Sequence, residues 1–453
     1  MKTAVILCSG KGKKMWPYSV TRNKCMIPVS NKPIVKYNVE ILEEIGFEKI
    51  IIVTSCFAQE IKNFFRCDKN VKIVEEKEAK GTAFSLLCVK DEVEDESFVV
   101  LYGDTICQKK DLEAFCNLKK EGYSAFVAKI KDRSSDHIGC SLDEGKIEGI
   151  YGHSREDSTH MIMGFKFNED VFSLLENNSC RFKSVDVGMM PPIEGHLELT
   201  VIDYMEDGND VAVYEAKEDA FDIDKPWQIL EANFYINKKL CDSLTENVLA
   251  EGAEIHPTAE INGFVKLGKN SKIGRNVTIE GSIIVGDNTE ITNAAILEGC
   301  NVIGNDVTVK NGCFVGFGST IGDKSHMNHC SELTGILIRN VWLYHYMEIY
   351  GILGENVDIG AATVCGSLRF DDSVTQQKTN GRKEAQSDFG DSVFVGDYCR
   401  TGVNAILMPG VKTGAYSIVG PGVMLREDLE DNTLILNEQT QTKKKWSYEK
   451  YGW

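Results

Sequence analysis

The chain has 453 residues, 42% hydrophobic and 26% charged, which excludes a wholly disordered polypeptide and leaves room for two or three domains. Its 50 basic and 68 acidic residues give a net charge of −18, which argues against broad binding to nucleic acid or a membrane. No run approaches the roughly 18 apolar residues of a membrane span. The fifteen cysteines include no C-x-x-C pair, so neither zinc nor a dithiol redox site is signalled. With no cleavable leader visible at Met1–Leu7, reduced thiols and a cytoplasmic protein are expected.

From residue 1 to about 240, short apolar runs alternate with helical patterns. Thr3–Cys8, Lys49–Thr54, Val71–Glu75, Phe98–Tyr102 and Ser124–Ile130 are rich in Val, Ile or Phe, whereas Ile34–Ile45 and Ala58–Phe65 space their apolar residues as helices do. The alternation predicts an α/β, Rossmann-like domain over residues 1–240, with a largely parallel sheet covered on both faces. Such sheets bind ligands beyond the carboxyl ends of their strands.

A different period follows. Ile255, Ile261, Leu267, Ile273, Ile279, Val285, Ile291, Leu297, Ile303, Val309, Val315 and Ile321 recur every six residues. Six fits neither a helix nor a flat strand, but it matches the hexapeptide signature of a parallel β-helix, whose inward aliphatic residues stack coil on coil. The β-helix is expected over 251–430. The pattern loosens at 323–345, returns at Met347, Leu353 and Ile359, is interrupted by a polar excursion at 371–388, and resumes at Val395, Leu407, Val419 and Leu425. Residues 431–453 form a non-repetitive tail.

The first apolar run leads into Leu7-Cys8-Ser9-Gly10-Lys11-Gly12-Lys13-Lys14, then Thr21-Arg22-Asn23-Lys24. A glycine-rich loop after a strand lets backbone N–H groups approach phosphate oxygens. Residues 1–39 hold eight basic side chains and no acidic one, and such segregation in an acidic chain points to a polyphosphate. Gly81-Thr82 follows another strand and opens a helix. Gly103-Asp104 follows the strand Phe98–Tyr102, where a carboxylate suits Mg²⁺. Asp222 or Asp224 supplies a second carboxylate.

In this order the pieces resemble the sugar-1-phosphate nucleotidylyltransferases that carry a C-terminal left-handed β-helix, and the likeness extends to about residue 430. The resemblance implies in-line transfer of a nucleotidyl group from a nucleoside triphosphate to a sugar-1-phosphate or related phosphate compound, with release of pyrophosphate. It implies catalytic roles for Lys14 and Lys24. Nucleotide contacts are expected from Leu7, Ser9, Gly10, Lys11, Gly12, Lys13, Glu76, Gly81, Thr82 and Gly103. Acceptor contacts are expected from Gly139, His153, Arg155 and Gly164, and Mg²⁺ ligands from Asp104 and, aligned most simply, Asp222. A homo-oligomer through the β-helix, with a trimer favoured, is also implied.

The chain departs from the family pattern in several places. Lys13-Lys14 stand where the signature has Thr-Arg, so charge survives but the guanidinium fork does not. Glu76 replaces a glutamine used in base selection, leaving the base open. The Glu-Lys-Pro motif expected near Ile150–Arg155 and the asparagine before Gly164 are absent. Unpaired sugar hydroxyls in a closed site are costly, so an unusual acceptor or an impaired acceptor half is expected. In the β-helix, Tyr344 aligns with the acetyltransferase histidine of bifunctional relatives, and a one-residue shift is expected to turn His345 to the opposite face. His326 and His329 read as ordinary loop histidines. Two alternatives to nucleotidyl transfer alone therefore stay open: a bifunctional enzyme with an acyl-CoA-dependent acyltransferase, and a catalytically impaired scaffold or regulatory homologue.

Overall fold

The computed structural model of the protein describes residues 2–131, 136–152, 158–180, 193–385 and 388–451. Four parallel strands run through the N-terminal sheet in the order Ser97–Tyr102, Thr3–Leu7, Lys49–Thr54, Val71–Glu75. The long strand His160–Asn168 continues the sheet antiparallel to Ser97–Tyr102 and also pairs with Ser124–Lys129 and Gly139–Asp143. Alternate residues of the central strands fill two separate cores. Ala4, Ile6, Ile50, Ile52, Val99 and Leu101 face one, and Val5, Leu7, Ile51, Val53, Val100 and Tyr102 the other. A strand buried on both faces reads as continuous apolar sequence, as these do.

The second half is a left-handed parallel β-helix. Ile255 lies over Ile273 and Ile291, Ile261 over Ile279 and Leu297, and Leu267 over Val285 and Ile303, so each coil uses 18 residues and three faces. These side chains form one apolar core along the axis. Between Ile321 and Ile359 the coils shorten to 16 residues, placing Leu337, Leu343 and Ile349 in the ladders, and beyond the polar excursion 18-residue spacing returns, as from Arg400 to Ile418. That shortening is why the six-residue period loosens in the sequence.

The polar excursion contains a hairpin, Gln376–Thr379 with Arg382–Ala385. Because of it, Gly351 and Leu353 pair with Val393 and Val395, 42 residues further on.

The helix Pro226–Asp242 joins the two halves. With Met15, Tyr18, Ile27 and Val29 it buries Trp227, Leu230 and Ile236 against Ile336, Ile338, Ile352 and Phe394 of the solenoid. Polar contacts cross the same seam. Tyr18 donates to the Ile352 carbonyl at 2.8 Å, Asn237 to the Gly318 carbonyl at 2.8 Å, and Arg22 to Asp397. All fifteen cysteines are free thiols, and among the described residues no helix is long and apolar enough to cross a membrane.

Candidate active site

The parallel register sets Leu7 beside both Val53 and Tyr102, so the loops that follow these strands leave the sheet at one edge. Gly103 donates its N–H to the Leu7 carbonyl at 2.9 Å, and a Cβ there would collide with Cys8 Sγ. Glycine at 103 thus lets the loop carrying Asp104 close against the glycine-rich loop. Gly12 takes φ of +60°, and a Cβ on it would meet Lys24 Cβ at 2.9 Å. Asn23 caps the short turn Lys24–Met26 by accepting from the Cys25 N–H at 2.9 Å, and it donates to the Cys8 carbonyl at 2.9 Å. Lys24 is thereby fixed to the end of the first strand.

The carboxylates converge through a second pairing. Phe221–Asp222 runs antiparallel to Thr105–Ile106 with Asp222 opposite Thr105, and the Ile223 N–H donates to the Asp104 carbonyl at 3.0 Å. Asp224 follows, its N–H held by Gln228 Oε1 at 2.8 Å at the start of the long helix. One ligand atom from each of Asp104, Asp222 and Asp224 lies within 4.8 Å of the others. Three hard oxygen donors at this spacing fit a divalent cation bound with substrate phosphates.

Lys24 Nζ sits among these groups, 2.6 Å from Asp104 and in contact with Asp224. Burial alone would discharge its ammonium, but Asp104, Asp224 and Asp222 overcome that and hold its pKa well above the ordinary lysine value. Burial would raise Asp224, yet Lys24 and Lys14 pull its pKa well below the usual carboxylate range. Asp222 goes the other way: burial and then the charge of Asp224 raise it, against a hydrogen bond from His137 Nδ1 at 2.9 Å. Neighbouring acids pushed in opposite directions are frequent at functional sites.

A cavity of about 530 Å³ opens onto this cluster. Leu7, Ser9, Gly10, Lys11, Gly12, Lys13, Lys14, Lys24, Gly81, Thr82 and Asp104 line it, joined by Asp224, Ser85, Tyr102, Glu194, His196 and Asn380. Among the described residues Ser9 Oγ and Tyr102 Oη are buried without a hydrogen-bond partner, so the wall keeps unused polar atoms where a ligand would lie. Gly81 has φ of +108°, and a Cβ there would be 2.5 Å from the Gly195 carbonyl oxygen. Only glycine brings these two segments together.

Other anticipated residues stand apart from the cavity wall. Glu76 is buried behind it and accepts from Ser85 Oγ at 2.7 Å. Gly139 is bound into the sheet beside Met161, and a Cβ on Gly164 would strike the Val100 carbonyl at 2.5 Å. His153 and Arg155 lie outside the described residues. Sequence reasoning passed over Arg382 and over Asp136 and His137, which carry no motif, and gave Lys225 no role of its own. Asp136 Oδ1 meets Lys14 Nζ at 2.8 Å and Asp136 Oδ2 meets Lys225 Nζ at 2.8 Å.

In the solenoid, His345 does not turn to the face opposite Tyr344. Residues 344–346 form a corner beyond the strand Trp342–Leu343, where strand alternation no longer applies, so both side chains lie outside the core. His345 Nδ1 is 2.8 Å from His329 Nδ1. His326 lies in a strand rather than a loop, its ring tilted against that of Trp342 with centroids 4.3 Å apart.

The Nucleotidyl transferase family matches residues 3–178. The "Bifunctional protein GlmU" of Methanococcus maripaludis is 30% identical over 454 residues, 98% of this chain and 99% of the relative. The chain belongs to this family of sugar-1-phosphate nucleotidylyltransferases. It is a nucleotidyltransferase enzyme, and members of its family use a divalent metal. The "Bifunctional protein GlmU" of Methanocaldococcus jannaschii is 27% identical, covering 95% of this chain and 97% of the relative. The "Bifunctional sugar-1-phosphate nucleotidylyltransferase/acetyltransferase" of Sulfurisphaera tokodaii is 27% identical, covering 94% and 98%.

Proposed function

We propose that this enzyme moves a nucleotidyl group from a nucleoside triphosphate to a sugar-1-phosphate and releases pyrophosphate, with Mg²⁺ as its divalent ion. The observation that carries the reading is the convergence of Lys14, Lys24, Asp104 and Asp224 at one cavity edged by the glycine-rich loop, with Asp222 in the same carboxylate cluster. Both reactants are polyanions, so the chemistry is chiefly alignment and neutralisation, and no covalent nucleophile is required.

The amides of Gly10–Gly12 with Lys13 and Lys14 receive the triphosphate tail that departs as pyrophosphate. Lys24 turns from the carboxylates toward the phosphate oxygens and orients the attack on the α-phosphorus. Asp104, Asp222 and Asp224 would hold Mg²⁺, which when bound neutralises phosphate charge. Ser85, which donates its hydroxyl proton to Glu76, leaves its oxygen on the cavity wall to accept from the nucleotide.

Pyrophosphate release measured across a panel of triphosphates and sugar-1-phosphates tests the reading. At least one pair should react, chelation should stop it, and Lys24→Ala or Asp104→Ala should abolish it while leaving the circular dichroism spectrum intact. No release from any pair would refute it.

Acyl transfer in the solenoid is a second reading. It is supported by the names of the bifunctional relatives and by the outward-facing His329–His345 pair. Thiol release from acetyl-CoA in the presence of an amino sugar phosphate would establish it. A trimer formed through the solenoid in the cytoplasm completes the proposal, and light scattering in solution checks the subunit number.

A further inference from the structure

The hairpin Gln376–Ala385 belongs to the solenoid, yet it reaches the cavity of the α/β domain. Asn380 at its turn lines the cavity together with Lys11, Lys13 and Lys14. Arg382 Nη2 donates to both oxygens of Asp136 at 2.9 Å, across 246 residues of sequence. Glu384 on the same strand pairs with Lys225. The Asp136 side chain is only 3% exposed, and among the described residues it gathers cations from Lys14 of the glycine-rich loop, Lys225 beside the acidic cluster, and Arg382 of the solenoid.

The hairpin is braced from below. Lys412, 1% exposed, donates to Gln377 Oε1 at 2.6 Å and to the Lys378 carbonyl at 2.9 Å. Gln377 in turn donates to the Gly390 carbonyl at 2.6 Å. A lysine buried to hold two hairpin acceptors indicates a fixed wall.

Lys14 divides its charge between Asp136 at 2.8 Å and Asp224 at 3.4 Å. A triphosphate in the cavity competes for that ammonium. When Lys14 turns to it, buried Asp136 keeps only Lys225, which it shares with Glu384, and Arg382, so part of its compensation is lost at a cost. The guanidinium of Arg382, permanently charged and in contact with both carboxylate oxygens, limits that cost. The glycine-rich loop carries lysines and no arginine, and the solenoid brings a guanidinium to the carboxylate that holds Lys14.

We propose that this hairpin is a working part of the nucleotidyl-transfer site and that Arg382 is a positioning residue, holding Asp136 while Lys14 engages the triphosphate. The proposal rests on the nucleotidyl-transfer reading above.

Steady-state kinetics of the full-length protein test it, using Arg382→Ala, Arg382→Lys, Asp136→Asn and the double variant Asp136→Asn/Arg382→Ala. Arg382→Ala should lower kcat/KM for the triphosphate about tenfold, the size expected for coupled neighbours, with KM for the sugar phosphate unchanged. Arg382→Lys should recover part of the loss, and Lys383→Ala, exposed on the same strand, should behave as wild type. In the Asp136→Asn background, Arg382→Ala should change the rate by less than about twofold, because the partner it acts through is gone. An Arg382→Ala enzyme as active as wild type, or one losing the same factor in both backgrounds, would overturn the hairpin's role while leaving nucleotidyl transfer standing. A wild-type protein inactive toward every substrate pair would overturn both.

Discussion

Asp397 stands on the solenoid, fully buried, and receives Arg22 and Thr21 from the α/β domain as well as the Glu355 N–H at 2.6 Å. Replacing it by Asn keeps the size and removes the charge, leaving Arg22, itself 6% exposed, without its principal counter-ion. Breaking a buried pair by removing one partner costs about 3–5 kcal/mol. Glu355 Oε1, 3.5 Å from Arg22 Nη1 and partly exposed, offsets some of that, so about 3 kcal/mol is expected. Because Arg22 precedes Lys24 by two residues, nucleotidyl transfer should fall with stability. Equilibrium urea unfolding followed by circular dichroism, alongside pyrophosphate release, measures both effects. Arg22→Met with Asp397→Asn should regain most of the stability, since neither charge is then buried alone and the amide oxygen still accepts from the Glu355 N–H. Lys2→Ala, which breaks the exposed Lys2–Glu48 pair, should leave the unfolding curve unchanged. A loss below about 1 kcal/mol for Asp397→Asn, or a double variant as unstable as the single ones, would show that this ion pair does not fasten the solenoid to the catalytic loop.

Gly81→Ala should raise KM for the triphosphate and cost about 1–3 kcal/mol in stability, because a Cβ at φ of +108° would press on the Gly195 backbone; titration calorimetry with a non-reacting triphosphate reads the binding loss. The raised pKa of Asp222 gives a sign to the pH dependence of metal binding. As pH falls, this carboxylate takes its proton before an ordinary one would, and a protonated group cannot serve as a metal ligand. Mn²⁺ affinity, followed by electron paramagnetic resonance, should therefore decline on the acid side while Asp224, held low by Lys24 and Lys14, is still ionised. Asp222→Asn should bind more weakly and lose this acid-side decline.

The solenoid was legible because each coil sends aliphatic residues inward at a fixed interval, from Ile255 to Ile321. The 16-residue coils beyond Ile321 hid their own register, since Leu337 falls four residues after Leu333 instead of six. The basic glycine-rich loop and the strand-end Asp104 could be read from local chemistry, because the strands preceding them force the loops to one edge, whereas roles for Lys14 and Lys24 came only with the family resemblance. Asp136 could not. It lies in a polar stretch with no spacing signal, and its partners Lys14, Lys225 and Arg382 come from distant parts of the chain. The excursion read as merely polar for the same reason: its partners are contributed by the other domain. Glu76 was visible as a substitution, but its burial behind Ser85 depends on how the helix Thr82–Leu87 packs.

A crystal structure with Mn²⁺ and a non-hydrolysable triphosphate, using anomalous scattering to locate the metal, would probe the proposed site without intermediaries. A metal peak is expected between Asp104, Asp222 and Asp224, with Lys14 and Lys24 turned from their carboxylates onto phosphate oxygens. A metal and triphosphate bound elsewhere, with Lys24 still tied to Asp104 and Asp224, would overturn the assignment.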